Sequence, residues 1–518
     1  MTRAPLKSRI LRAGGITVAG SGILIVLGTV VRMVIARVYG PEGMGEYAGF
    51  TMFIKFFGII AVFSLPRAVL KFAAEYEEKN EFRRIRELFS SIFILLTASC
   101  LLVAVASQLF IPALMKFVNL PVDRTLSLFL GLTLVMATHS VLTSTLFLGL
   151  MQNIRAFVIS ISSMLVMIGL AGAAYFILPF PVYFLLVAGY LASSVIGIIL
   201  ARRQGFLGLT FSGGEVKKAF RFALPIVLMS YFGFAAEWFD RFALGMYFGA
   251  REMGLFSAGL VVFTATRKIP LSLSEVLVPS YSKISLHGKE VLARAYGKNL
   301  YYYALLFFFV AAGLVLYRRE LIVLLFTPEF LPAADILLIL SGSFVLSVIT
   351  NPGSSLLVGC GYTKLNTVNY IVGVAVLIPA LVIFTRLWGI RGAAAAKMLA
   401  HFATTAGMLF ILVRVVKLRI AFGAVLKLLL FTLAVGAIAG LIKHHLAFIG
   451  WSLLFLAAAY FGGLWFFLLS PEDKRYLKDI RQKSRRSSQF FREPGVKWPD
   501  RQEGAEGPGR DSEREEER

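Results

Sequence analysis

Seven ionisable side chains lie inside stretches that are otherwise almost wholly apolar: Arg32, Lys55, Glu237, Asp240, Arg241, Arg267 and Lys268. A charge at the centre of a bilayer costs several kcal/mol even by the lower estimates, so such a group faces a cavity or a partner. Lys55, Arg267 and Lys268 sit deep in their runs. Buried cations of this kind bind anionic oxygens through charge-assisted hydrogen bonds; the competing reading is pairing with a carboxylate, or snorkelling. Arg32 and Arg241 fall near the ends of their runs, where they either receive an anion or snorkel to the interface. Glu237 and Arg241 are four residues apart, the spacing of a helical ion pair. Glu237 and Asp240 then either form satisfied pairs or act as a proton or cation coupling site, because a carboxylate in low dielectric can titrate. Glu46 and Glu275 are weaker candidates for the same role, and His139 reads as a packed polar residue or a proton relay. No phosphate-cradling G-x-x-x-x-G-K-[ST] loop occurs, so that route to ATP hydrolysis is absent. No metal cluster or catalytic triad stands out, and nothing calls for a cofactor. The two cysteines, Cys100 and Cys360, permit neither a disulfide framework nor a zinc site.

The elements that position these charges are spanning helices. Of 518 residues, 58% are hydrophobic and only 16% charged, against about a quarter charged in soluble domains. Fourteen apolar runs reach the length of about 20 residues that a spanning helix needs. They fall near 14–38, 46–66, 89–114, 126–150, 157–178, 181–200, 222–248, 253–280, 299–326, 333–358, 366–387, 391–413, 423–442 and 449–470. Their length excludes a β-barrel. The predicted class is therefore an all-α integral membrane protein. The net charge of +24 is concentrated in alternate loops, among them those holding Arg83, Arg84 and Arg86, Arg202 and Arg203, and Arg414 and Lys417. The positive-inside rule then places both termini in the cytoplasm of a cell-membrane protein. The same clusters read as contacts with anionic lipid, so nucleic acid is not an expected partner. Arg67–Phe89 alternates apolar and charged residues in a helical rhythm and reads as a surface helix or as a solvated loop. Pro270 is expected to break the eighth helix locally. The polar tail from Pro471 is expected to be largely disordered, with a short interfacial helix near 473–491.

The chain repeats itself. Arg32–Gly40 resembles Arg241–Gly249 at an offset of 209 residues, and the same offset relates Met44-Gly45 to Met253-Gly254 and Arg155 to Lys364. Six helices per copy is an even number, so both copies have one orientation and are related by an axis along the membrane normal, with a substrate site expected between them. The predicted organisation is a six-helix bundle over 1–201, a second over 202–415, two added helices over 416–470 and the tail over 471–518. Gly40, Gly43, Gly45, Gly249 and Gly254 fall where one helix turns into the next, which needs positive φ or close backbone approach.

The segments GMGEYAG (Gly43–Gly49), Phe63–Leu88, WFDRFALGMYFGAREMGLFSAG (Trp238–Gly259), Leu325–Leu340, Leu356–Tyr370 and GIRGAAAAKMLAHF (Gly389–Phe402) carry a resemblance. Together they resemble oligosaccharide flippases of the polysaccharide-biosynthesis family, within the multidrug/oligosaccharidyl-lipid/polysaccharide exporter superfamily. The resemblance implies alternating access by two bundles. The implied cargo is a polyprenyl-pyrophosphate-linked oligosaccharide, moved from the cytoplasmic to the outer leaflet for cell-surface polysaccharide biosynthesis. On that reading Lys55, Arg267 and Lys268 hold the pyrophosphate, Arg32 and Arg241 receive it on the far side, and the protein is not an enzyme. Membrane lipids are its surroundings, glycosyltransferases or a polymerase of the same pathway are further partners, and a monomer suffices. A peptidoglycan-precursor flippase and a multidrug antiporter of the same superfamily are the alternatives. A cavity lined by cations would repel a cationic drug. A membrane glycosyltransferase would need catalytic carboxylates on a large outer loop, and no outer loop here is long enough.

Overall fold

The computed structural model describes residues 6–120, 124–177, 180–418, 420, 422–445 and 449–463. The expected tail and its interfacial helix lie outside the described residues, as do Pro179 in the loop before the sixth helix and the side chain of Glu275. The described residues are almost entirely helical, with no strand among them. The elements are α1 (Leu6–Val62), α2 (Leu65–Glu78), α3 (Phe82–Phe117), α4 (Arg124–Gly149), α5 (Asn153–Phe176), α6 (Val182–Arg203), α7 (Gly213–Phe248), α8 (Ala250–Ile284), α9 (Lys289–Leu325), α10 (Ala333–Gly359), α11 (Thr363–Phe410), α12 (Gly423–His445) and α13 (Ile449–Gly463). Each of the fourteen apolar runs coincides with a helix over its described residues, because α1 and α11 each hold two. In α1 the break is the single non-helical residue Gly40 (φ 66°), followed by Pro41; in α11 it is Gly389 (φ 57°). α8 shows no break at Pro270 and is helical from Ala250 to Ile284, contrary to the expectation. Neighbouring helices and side chains re-satisfy the backbone groups that a proline frees inside a membrane.

These helices bury large and small apolar residues together with Ser and Thr against each other, yet leave a further set of large apolar residues outside. Leu102, Val105 and Leu109 of α3 are 70%, 71% and 80% exposed, a stripe at helical spacing that only lipid can cover. The chain is a multi-pass membrane protein. Residues up to Ser452 form one compact unit; of the unit that begins at Leu453, the described part is the end of α13. In the first bundle α1 packs on α3, α4, α5 and α6; in the second α10 packs on α8, α9 and α11.

The repeat is visible where the bundles meet. A Cβ on Gly45 would lie 1.7 Å from the carbonyl oxygen of Ala250, and a Cβ on Gly254 would lie 1.8 Å from that of Pro41. Ala250 and Pro41 are themselves 209 residues apart, as are the two glycines. The contact is therefore reciprocal, as a two-fold axis requires of a self-complementary crossing. Small residues permit it, because helix association in lipid is driven by close backbone approach. Gly40 and Gly249 (φ 92°) supply the two equivalent turns into this crossing. Asn119 adds bonds from the first bundle to the carbonyls of Gly245 (3.1 Å) and Met246 (3.0 Å), and Arg37 reaches the carbonyl of Leu324. One side of the molecule is sealed by this set. The opposite side carries the Lys- and Arg-rich loops.

There the segment beyond α1 turns through Phe63 and Ser64, both at positive φ, into α2, with Pro66 in its first turn. Of the two readings of Arg67–Phe89, the helix is the one found: Phe72 and Tyr76 of α2, then Ile85 and Leu88 of α3, are buried in one apolar cluster. Tyr76 Oη donates to Glu215 Oε2 (2.6 Å) and accepts from Lys218 Nζ (2.9 Å). Burial and the bond to Glu215 raise the Tyr76 phenol well above its ordinary value. Glu215 also sits three residues after Ser212, whose hydroxyl accepts from the Glu215 amide and caps α7.

Candidate functional site

α7 is the element that joins the bundles. From Phe220 to Phe234 it packs against the first bundle: Phe220 lies 5.3 Å from Phe63 and Phe234 lies 5.6 Å from Phe56, ring centre to ring centre, and Ser230 bonds to Ser64 at 3.1 Å. Further on it is tied to the second bundle through Asp240, which forms an ion pair with Lys397 of α11 at 2.6 Å, and its end returns to the first bundle at the Asn119 bonds. Between these attachments lies a cavity of about 310 Å³, lined by Lys55, Ile59 and Arg67 on one wall and by Met229, Ser230, Gly233, Phe234, Glu237 and Trp238 of α7 on the other. It is ten residues along α1 from the Gly45 crossing, about 15 Å at a helical rise of 1.5 Å per residue, toward the basic side.

The cavity holds two cations, Lys55 and Arg67, against one carboxylate, Glu237. Lys55 and Glu237 were expected in a site; Arg67, read from sequence as a loop residue, was not. α2 begins at Leu65, so Arg67 lies in its first turn, at the mouth of the cavity.

The expected Glu237–Arg241 ion pair is replaced by another. Arg241 donates to the backbone carbonyl of Glu237, and its charge partner is the neighbouring Asp240 at 3.0 Å, with the Trp238 ring beneath the guanidinium at 4.7 Å. The Glu237 carboxylate is exposed in the cavity, where it acts electrostatically on Tyr370. Arg32 makes the bond matching that of Arg241, to the carbonyl four residues before it, Gly28, at 2.9 Å. It also lies within electrostatic reach of the Tyr47 and Tyr190 phenols, and Lys55 acts on Tyr47 as well.

Asp240 is fully buried. Lys397, its stronger partner, also donates to the carbonyl of Ala236 at 3.1 Å. Lys397 was not singled out in the sequence, although a lone lysine in the small-residue run Gly392–Ala400 meets the same criterion that selected Lys55. One turn on, His401 feels both Lys397 and Arg267. Arg267 of α8 is partly buried, and its Nε has no hydrogen-bond acceptor. Arg267, His401, Lys397, Asp240 and Arg241 thus form one electrostatic group within the second bundle. The three cations expected together divide accordingly: Lys55 lines the cavity, Arg267 joins this group, and Lys268 is exposed outside it. His139 is buried, bonded to Thr97 at 2.8 Å and stacked on Phe93, the packed polar residue of the two readings. Among the described residues no cluster of three or more metal-ligating side chains occurs.

The fold is similar to those of solved transporters. A structure described as "Lipid II flippase MurJ, inward closed conformation" matches over 86% of this chain and 98% of its own, with a TM-score of 0.69 at 15% identity. An inward-facing multidrug resistance MATE family transporter of the MOP superfamily matches over 76% of this chain and 95% of its own, with a TM-score of 0.61 at 16% identity. An outward-facing structure of the same description matches over 80% of this chain and 97% of its own, with a TM-score of 0.52 at 17% identity. No curated protein matches the chain by sequence. The family model described as "Polysaccharide biosynthesis protein" matches residues 10–285, which takes in the whole first bundle, the reciprocal glycine crossing and the cavity wall formed by α7. With more than half its length covered by that model, the chain belongs to the polysaccharide biosynthesis protein family.

Proposed function

We propose that the protein is a flippase for a polyprenyl-pyrophosphate-linked oligosaccharide, carrying it by alternating access from the cytoplasmic to the outer leaflet of the cell membrane. The observation that carries this reading is the cavity between the bundles, sealed on one side by the Gly45–Gly254 crossing and lined by Lys55 and Arg67 against a single carboxylate. A pyrophosphate is a doubly anionic head on a lipid tail, and two convergent cations at the edge of a lipid-embedded cleft suit it. The open side is the one bearing the basic loops, which the positive-inside rule assigns to the cytoplasm, with both termini there. Cargo therefore enters where lipid-linked sugars are assembled. The bundles correspond to residues up to 201 and 202–415, with α7 shared between them, and the cycle needs no catalytic step.

On this reading Arg267, Lys268, Arg32 and Arg241, none of which lines the cavity, add to the positive field that the cargo meets. Of the two carboxylates considered for ion coupling, Asp240 is held by Lys397 and Arg241, so Glu237, exposed in the cavity, is the group able to exchange a proton or cation with substrate. The fold match to the lipid II flippase favours a second reading, in which the cargo is a peptidoglycan precursor; it too is an anionic lipid-linked saccharide.

Reconstituted vesicles test both. Lys55→Ala and Arg67→Ala should each abolish translocation of a fluorescent polyprenyl-pyrophosphate oligosaccharide while leaving folded protein yield unchanged. Wild-type rates in both variants would refute the cationic-cavity mechanism. Selective translocation of the peptidoglycan precursor by the wild type would move the assignment to the second reading.

A further inference from the structure

A second basic cavity lies away from the transport cleft, at the inner ends of α3, α5 and α6. It has a volume of about 600 Å³, and its walls include Arg83, Arg86, Gln152, Gln204 and the rings of Phe82 and Phe206. Its polar groups are held in place from outside. Arg155 bonds to the Gln152 carboxamide; with the Gln204 amide turned so that its oxygen faces Arg155, Gln204 accepts from Arg155 and donates to Gln152 at 3.2 Å, and both amides and a third guanidinium form one frame. Ser90 fixes the loop closing the cavity: its hydroxyl donates to Phe206 O at 3.1 Å and accepts from Gly208 N at 2.9 Å. The Arg86 guanidinium lies against Gly208, where a Cβ would come within 2.5 Å of it. Arg83 is paired with Glu87 at 2.8 Å, whereas Arg86 has no ion-pair partner among the described residues. Three arginines thus meet one carboxylate around an amide-lined hollow.

The surroundings are apolar and open. Ile154 and Val158, one turn apart on α5, are 61% and 46% exposed, and Leu209 and Phe211 on the closing loop are 99% and 63% exposed. Exposed apolar side chains beside guanidinium groups at the end of spanning helices mark the boundary between acyl chains and headgroups.

We propose that this cavity is a phosphate-binding site for the headgroup of an anionic phospholipid, separate from the transported cargo. Arg86 is its principal ligand, Arg83 and the Arg155 frame complete the positive field, and the exposed apolar side chains receive the acyl chains. Basic pockets on the cytoplasmic side of membrane proteins bind such headgroups, and free inorganic phosphate shares the recognising chemistry.

The test is native mass spectrometry of the full-length protein in mild detergent, titrated with phosphatidylglycerol, with phosphatidylcholine, and with phosphatidylglycerol in the presence of inorganic phosphate. Saturable retention of phosphatidylglycerol over phosphatidylcholine is expected, weakened about tenfold or more by Arg86→Gln, the loss of one charge-assisted contact. Arg155→Gln should weaken it by disordering the amide frame, and provides the reading if Arg86→Gln does not fold. Lys55→Ala should leave it unchanged, which separates this site from the transport cleft. Displacement by millimolar phosphate would keep the site and assign it a soluble ligand. Equal retention of the two lipids, or undiminished binding by Arg86→Gln and Arg155→Gln, would overturn it.

Discussion

The two bundles are copies of one unit, yet they handle charge differently. In the first bundle the position 209 residues before Asp240 is Val31, which is buried and apolar, and the position 209 before Lys397 is Ala188. The second bundle has placed a buried ion pair, reinforced by Arg241, where its sibling has hydrocarbon. The Arg32 and Arg241 bonds to the carbonyl four residues earlier are shared, so the arginine is common to both copies whereas the Asp240–Lys397 pair occurs in one. Breaking a buried pair is costly because one charge is stranded, whereas replacing both partners with apolar residues is often neutral. The pair therefore specifies how α7 docks on α11 more than it stabilises the fold.

That contrast can be broken directly. Asp240→Ala should destabilise the protein by about 3–5 kcal/mol, through the stranded Lys397, and Asp240→Val with Lys397→Ala should recover most of the loss. Thermal unfolding of both variants in detergent measures it; a double variant as unstable as the single would show that the second bundle is not a charged version of the first. The glycine crossing sharpens the symmetry. Gly45→Ala and Gly254→Ala each press a methyl group into a backbone carbonyl, an overpacking cost of about 1–3 kcal/mol or more. Reciprocity requires similar losses in stability and transport from the two, and a wide disparity would show that the interface is not two-fold.

A smaller effect is expected from a feature that only the first bundle has, the separate surface helix α2. Tyr76→Phe removes its bonds to Glu215 and Lys218 and should cost about 1 kcal/mol. The raised Tyr76 phenol adds stability that is fully present below the unfolded value of about pH 10 and is lost as pH rises through the folded value. Unfolding midpoints from pH 8 to 11 for wild type and Tyr76→Phe should therefore converge at the alkaline end. Least of all, Gly208→Ala meets only the end of a flexible arginine, so it should leave stability within about 0.5 kcal/mol while weakening retention of anionic lipid.

Much of this architecture was legible in the chain. Hydropathy located the long apolar helices among the described residues because lipid imposes a length and a polarity on each. The 209-residue offset picked out the glycines at the two equivalent turns, though not that Gly45 and Gly254 meet each other's bundle, and positive φ at Gly40 and Gly249 follows from the turns they serve. Single-residue arguments failed where the deciding partner is distant. Lys397 lies 157 residues from Asp240, and the nearer Glu237 looked like the partner of Arg241 by spacing alone. Arg67 looked like a loop residue because nothing local says that α2 folds back over the cavity mouth. Pro270 looked like a break because the proline rule is local, whereas α8 runs on through it.

The stretch of α7 between Ser230 and Glu237 is a wall of the cavity and is held from both sides, by Phe56 of the first bundle against Phe234 and by Lys397 of the second on the Ala236 carbonyl. If the bundles rock as proposed, the strain falls on a piece of backbone that is also cavity wall, so that filling the cavity would stiffen the joint and bending the joint would reshape the cavity.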